Sequence, residues 1–207
     1  MFVTIEGIEG SGKSTLLAGL AERLRAAGRD VVVTREPGGT PAGDAVRRIF
    51  LDPAIAIAPL TEAMLVNAAR AQHVADVIRP ALRAGKIVLC DRFVDSTLAY
   101  QGYGRGLDRD LLRRLCDAAT GGLRADLTLL VDVPLAVSRA RTQARHGEAD
   151  RLEAEDDGFH ERVRRGFLEI AHDNAGYEVL NGTLEREALI AAAYEAIGRR
   201  LGAETRA

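Results

Sequence analysis

The chain has little of what several common protein classes require. Its two cysteines, Cys90 and Cys116, form no C-x-x-C pair, which excludes a thiolate zinc site and a disulfide framework. Both read as buried thiols in a reducing compartment. Lys and Arg number 28 against 30 Asp and Glu, a formal net charge of -2. The concentrated positive surface that holds nucleic acid through counterion release is therefore missing. No apolar run approaches the roughly 20 residues a membrane helix needs. The N-terminus opens directly on Phe2–Ile5, without a basic flank or a small-residue cleavage site. These absences predict a cytoplasmic protein with no nucleic-acid polymer and no membrane as partner. The histidines His73, His146, His160 and His172 share no metal-ligand spacing and read as surface or packing residues. There is no internal repeat, linker or low-complexity segment, and 207 residues fit around one hydrophobic core. Residues 1–207 are expected to form one domain.

What is present is an alternation of short apolar runs and helical patterns. Phe2–Ile5, Val31–Thr34, Ile87–Cys90, Leu127–Val133 and Glu178–Leu180 are rich in β-branched or aliphatic residues and read as strands. Continuous apolar runs without a polar alternate face suit strands covered on both sides. The last is the shortest, and Tyr177–Leu180 could equally be a loop. Between the first two lies Ser14–Ala26, where Leu16, Leu17, Leu20 and Leu24 share a helix face; Gly28 follows as a stop. Pro80 falls inside a periodic stretch from about Pro59 to Ala84, so the helix there bends or restarts. Ala188–Ala196 reads as a strong helix. The order implies an α/β fold, a parallel sheet flanked by helices with right-handed crossovers.

The first strand runs into Gly7-Ile8-Glu9-Gly10-Ser11-Gly12-Lys13-Ser14-Thr15, which satisfies G-x-x-x-x-G-K-S/T between strand and helix. The glycines let successive N–H groups turn inward onto phosphate oxygens, and the helix adds its positive end. Lys13 is placed for the β- and γ-phosphates of ATP, and the Ser14 hydroxyl for Mg²⁺. Such a loop is shared by switch GTPases, motor ATPases and small-molecule kinases. The guanine-reading N-K-x-D segment is absent, because no lysine follows Asn67, Asn174 or Asn181.

Further strings narrow the class: Thr34-Arg35-Glu36-Pro37-Gly38-Gly39-Thr40, Ala68-Ala69-Arg70, Asp91-Arg92-Phe93, and Asp95-Ser96-Thr97-Leu98-Ala99-Tyr100-Gln101-Gly102-Tyr103-Gly104. With the phosphate loop, Asp126-Leu127-Thr128, Val131-Asp132-Val133 and Gly147 to Glu153, they resemble bacterial thymidylate kinases in one collinear order from residue 2 to about 170. The resemblance implies a five-stranded parallel core, a mobile lid at about 142–153, a homodimer, and transfer of the γ-phosphate of ATP to dTMP in dTTP biosynthesis.

It also implies roles. Asp91 would hold Mg²⁺ directly or through water, or simply cap its strand. Arg92 looks like the clamp on the dTMP phosphate, for which a guanidinium fork is suited. Arg47 resembles a second phosphate contact, with Arg48 as the alternative. Arg70 resembles the donor to a thymine carbonyl, with Thr97 and Gln101 completing the base edge. Tyr100 would lie against the deoxyribose or belong to the core. Glu9 and Glu36 resemble acids near the sugar 3′-hydroxyl and a Mg²⁺-linked water network.

Two features depart from or complete the pattern. The family's stacking phenylalanine is Val66 here, which reduces stacking to apolar contact and leaves base choice open, dUMP included. Gly10 follows Glu9 where an arginine would otherwise supply charge to the transferring group. The stretch with Arg139, Arg141, Arg145 and Arg151 would have to supply it from the lid, and Arg145 and Arg151 are the expected donors. From a different class, a non-catalytic nucleotide sensor would also use the loop, though it has no use for an arginine-rich lid.

Overall fold

A computed structural model describes residues 1–144, 150–172 and 174–204. Five parallel strands form one sheet: β1 (Phe2–Glu6), β2 (Val31–Arg35), β3 (Ile87–Asp91), β4 (Leu127–Asp132) and β5 (Tyr177–Asn181). Their spatial order is β2-β3-β1-β4-β5. The run at Tyr177 is thus a strand, in register with β4 from Thr128↔Tyr177 to Asp132↔Asn181.

Strand position explains where the apolar runs mislead. The central β1 is buried throughout, whereas β2 and β5 lie at the edges, and Val33 and Val179 are exposed. The apolar run of β2 predicts cover on both faces. At an edge that cover is incomplete, and the β propensity of valine suffices to form the strand.

Helices α1 (Lys13–Ala26) and α9 (Arg186–Glu204) cover one face, burying Val3, Ile5, Leu16, Leu20, Leu129 and Ile197 together. Helix α1 ends as predicted at Gly28, with φ 76°, the Gly28 N–H on Arg25 O and the Arg29 N–H on Leu24 O. This is the left-handed termination that glycine permits. The opposite face carries α2 (Pro41–Leu51), α3 (Pro59–His73), α4 (Arg79–Arg83), α5 (Val94–Thr97), α6 (Arg109–Thr120), α7 (Leu135–Gln143) and α8 (Asp157–Ala171). Pro80 acts as expected: α3 gives way to a π-helical turn, Val74–Ile78, before α4 restarts with the proline in its first turn. A second π-helical turn, Leu98–Gly104, extends α5. Cys90 and Cys116 are free and buried.

Leu20 is fully buried between α1 and the sheet. Leu20→Ala is expected to lower the unfolding free energy by about 2–5 kcal/mol, seen as a lower urea midpoint at unchanged slope.

Candidate active site

All five strands point the same way, so the loops after β1, β2 and β3 converge at their carboxyl ends, where open α/β sheets bind ligands. A cleft of about 430 Å³ opens there. The phosphate loop forms one wall. Gly7, Gly10 and Gly12 have φ of 139°, 67° and 103°, and a Cβ on Gly7 would lie 2.4 Å from the Val131 carbonyl oxygen. Only glycine permits that approach. Helices α2, α6 and α8 are capped by Thr40, Asp108 and Asp156, but α1 has no side-chain cap and no acid in its first turn. Its first N–H groups are left to an anion. Lys13 donates to Gly7 O at 2.9 Å and Ile8 O at 2.8 Å. Burial, then the Arg92 charge, pull its ammonium down to about 8.

Asp91 and Arg92 end β3 beside this loop. The pairing Ile5↔Asp91 puts the carboxylate next to the β1 end, and its Oδ1 is buried without a hydrogen-bond partner among the described residues. Arg92 has φ 70°, a left-handed conformation that costs a residue with a Cβ about 1–3 kcal/mol. The bend carries its guanidinium back across the loop to Gly7 O (2.9 Å), Ser96 Oγ (3.2 Å), Glu9 Oε1 (2.7 Å) and Tyr100 Oη (3.1 Å). Tyr100 donates to Glu9 at 2.7 Å. Burial pushes the Glu9 carboxyl up, but Arg92 and Lys13 outweigh it, and the group stays below its usual range. The Tyr100 ring meets Phe159 and Phe167 edge-on, so the residue belongs to the core and to the cleft at once.

Behind the turn sits Glu6, fully buried and absent from the sequence-based candidates. It accepts from the Phe93 N–H (2.7 Å) and the Ser96 hydroxyl (2.6 Å). Burial and the nearby Asp95 push it up to about 7.

At the other end of the cleft Arg70 is 2% exposed. It donates to Glu36 (2.7 Å), Asn67 (3.0 Å), Thr97 (3.0 Å), Cys116 Sγ (3.5 Å) and the Phe93 carbonyl (2.8 Å). Nη2 uses one of its two N–H groups on Phe93, leaving a donor for the cleft. Glu36 also accepts from His73 Nδ1 at 2.9 Å. The resemblance sets Glu36 near the sugar 3′-hydroxyl and a Mg²⁺-linked water network; here it lines the cleft with its two oxygens on Arg70 and His73, partners for a buried carboxylate. Glu36, His73 and Cys90 form a potential ligand cluster, but both Glu36 oxygens are occupied by those two partners.

Of the expected residues, Glu9, Gly10, Gly12, Lys13, Ser14, Thr15, Glu36, Arg47, Val66, Arg70, Asp91, Arg92, Thr97, Tyr100 and Gln101 all line the cleft. Gly7, Ile8 and Ser11 form the back of the loop. Arg47 reaches in, fixed to Pro37 O at 3.0 Å, while Arg48 is exposed outside. Beside Val66 the lining includes Phe50, an aromatic that lies sixteen residues earlier and is invisible to a positional motif. Arg151 does not line the cleft: it donates to Phe50 O and pairs with Glu62. The role expected for Arg151 on the transferring group is not one this placement supports. Arg139 ties α7 to Asp157. Arg141, near the C-terminal end of α7, reaches the phosphate loop, with Nη1 on Gly10 O, Ser11 O and Gly182 O at 2.9–3.3 Å. Arg145 lies outside the described residues. His73 and His160 are buried, His73 between Glu36 and Thr34 and His160 with its Nδ1 3.8 Å from Glu9.

The Glu6 shift sets a pH dependence. A carboxyl raised from 4.5 to about 7 contributes stability below the unfolded value that is lost as pH rises through the folded one. Unfolding free energy should therefore fall between about pH 4.5 and 7, and Glu6→Gln should flatten that slope in urea titrations.

The family described as thymidylate kinase matches residues 5–192. A thymidylate kinase of Deinococcus radiodurans is 52% identical over 201 residues, 97% of each chain. One from Geobacter sulfurreducens is 56% identical over 176 residues, 82% of this chain and 83% of its own. The crystal structure of thymidylate kinase from Ehrlichia chaffeensis superposes with a TM-score of 0.77 at 34% identity, covering 95% of this chain and 98% of that one. A phosphate loop, an Asp-Arg turn and a buried arginine at the far end of one cleft, within a match of this extent, place the chain in the thymidylate kinase family.

Proposed function

We propose that the cleft transfers the γ-phosphoryl group of ATP to dTMP, giving ADP and dTDP, with residues 1–207 acting as one kinase domain in the cytoplasm. The observation that carries this reading is the pairing of ends: an uncapped phosphate loop at one side and, across Arg92, a polar end lined by Arg70, Thr97 and Gln101. Lys13 and the α1 N-terminus would hold the donor phosphates. Arg92, with Arg47 behind it, would hold the acceptor phosphate in line and stabilise the charge that spreads over the transferring group. Arg141 would supply charge at the loop. Glu9 orients Arg92 and Tyr100. The acceptor phosphate is already ionised near neutrality, so no general base is required.

The donor set suits Mg²⁺, because an unpartnered buried carboxylate oxygen on Asp91 and the Ser14 hydroxyl at the loop are hard oxygen ligands. When bound, the ion would neutralise phosphate charge. At the base end, the free Arg70 N–H suits O4 of thymine, and Phe50 and Val66 offer apolar cover.

We also propose a homodimer through α3. Leu60, Met64, Ala68 and Ala71 recur at helical spacing along its exposed side, Ala75 of the π-helical turn continues the row, and Ile49 of α2 is exposed as well. A stripe of this kind allows close helix approach and is unusual on a monomer. Met64→Glu should convert a dimer to a monomer in light scattering, and a wild-type monomer would refute the assignment.

A coupled ADP-release assay with Mg·ATP and a panel of monophosphates tests the function. Fast turnover on dTMP is expected, and preference for dUMP or another base would overturn it. Lys13→Ala should raise KM for ATP by more than KM for dTMP. Arg70→Lys keeps a cation for Glu36 but not the fork, and should raise KM for dTMP roughly tenfold or more while sparing ATP. Equal effects on both substrates would sink this division of the cleft.

A further inference from the structure

Gln101 lines the cleft, yet its role is set by a residue that does not. Glu62, on α3, is fully buried and is shared by three side chains. Arg105 Nη2 lies 2.9 Å from its Oε1, and Arg151 Nη1 pairs with the same oxygen. Arg105 Nε (3.3 Å) and Gln101 Nε2 (3.1 Å) donate to Oε2. An acid paired to two guanidinium groups is a carboxylate, and a carboxylate only accepts. The Gln101 amide must then turn its NH₂ toward Glu62, since the opposite orientation would set oxygen against oxygen. Its carbonyl oxygen is left toward the cleft, and nothing among the described residues donates to it.

The two ends of an amide have nearly the same shape, so a glutamine free to rotate would serve as donor or acceptor. Pyrimidine bases differ in that respect. A 2,4-dioxopyrimidine presents an N3–H donor beside the O4 acceptor, whereas cytosine presents an N3 acceptor beside a 4-amino donor. A buried polar group left unpaired by the wrong base is costly.

We infer that Glu62 is a specificity-determining positioning residue, which fixes the Gln101 amide as an acceptor and so makes the site take a 2,4-dioxopyrimidine and reject cytosine. The inference rests on the proposed use of this end of the cleft for the base of dTMP. Arg151 thereby acquires a role other than charge at the phosphate: with Arg105 it pairs with the orienting acid. Its own N–H and Nε hold Leu51 O and Phe50 O, so the end of the stretch expected to form the lid and the base end are joined through Glu62.

Glu62→Gln can both donate and accept, and it releases the Gln101 amide. The ratio of kcat/KM for dTMP to that for dCMP is expected to fall roughly tenfold or more, with KM for ATP unchanged. Glu62→Asp, still acceptor-only, should retain most of the ratio. In a Gln101→Leu background Glu62→Gln should change the ratio no further. Parallel losses on dTMP and dCMP, or an undiminished effect in the Gln101→Leu background, would overturn the inference. The wild-type chain provides a measurement that does not depend on any Glu62 variant folding: Gln101 side-chain NH₂ protons, assigned by their loss in Gln101→Leu, should exchange slowly with solvent. Fast exchange refutes the orientation by itself. Failure of the wild type to phosphorylate dTMP refutes instead the function on which the inference rests.

Discussion

The site depends on one buried carboxylate. Glu6 ends the central strand, one residue before the phosphate loop, and takes the Phe93 N–H and the Ser96 hydroxyl from the turn after β3. It joins the two loops that must meet for phosphoryl transfer. Sheet pairing brings Ile5 level with Asp91 and carries on to the Arg92 N–H, which donates to Ile5 O. Glu6 then fixes Phe93 and Ser96, the residues that follow the Arg92 turn. The arrangement is strained at Arg92 and desolvated at Glu6, and both costs fall where a preorganised charge is needed.

The same device recurs twice more along the cleft. Glu36 holds Arg70 and His73, and Glu62 holds Arg105, Arg151 and Gln101. Each acid is buried, multiply paired and connected to an element distant in sequence. Such pairs contribute little net stability over an apolar core of the same volume, but removing one partner is expensive. Their value here is geometric. They fix the direction of guanidinium and amide groups that would otherwise have many rotamers, at an interior site where a wrong orientation leaves a polar atom unpaired.

Much of this was legible in the sequence, and the rest fails for identifiable reasons. Strand and helix order could be read from local periodicity, and the loop Gly7–Ser14 from the spacing of its glycines, since phosphate binding by backbone is a local affair. Edge status could not be read for Val31–Arg35, because a valine run looks the same whether or not a neighbour covers it. Arg70, Thr97 and Gln101 could be placed in the cleft, but their orienting acids could not. Glu36 resembled an acid near the sugar 3′-hydroxyl and a Mg²⁺-linked water network, and neither Glu6 nor Glu62 belongs to any motif. Arg151 was misread for the same reason: a charge in a polar segment has no direction until its counter-ion is known. Phe50 escaped because it lines the cleft from a different helix than the one the motif occupies. The match with thymidylate kinases identified the class without supplying any of these contacts.

The left-handed backbone at Arg92 also restricts how this chain can change. Replacement by glycine relaxes the torsion, and asparagine or aspartate tolerates it better than other residues do, yet none of the three carries a guanidinium. Relief of the torsion would also leave Glu9 without the guanidinium that pairs with it, a larger loss at a partly buried site. The strained torsion is thus locked in by its own ion pair, and gains in robustness must come from elsewhere, such as the incompletely covered edges at Val33 and Val179.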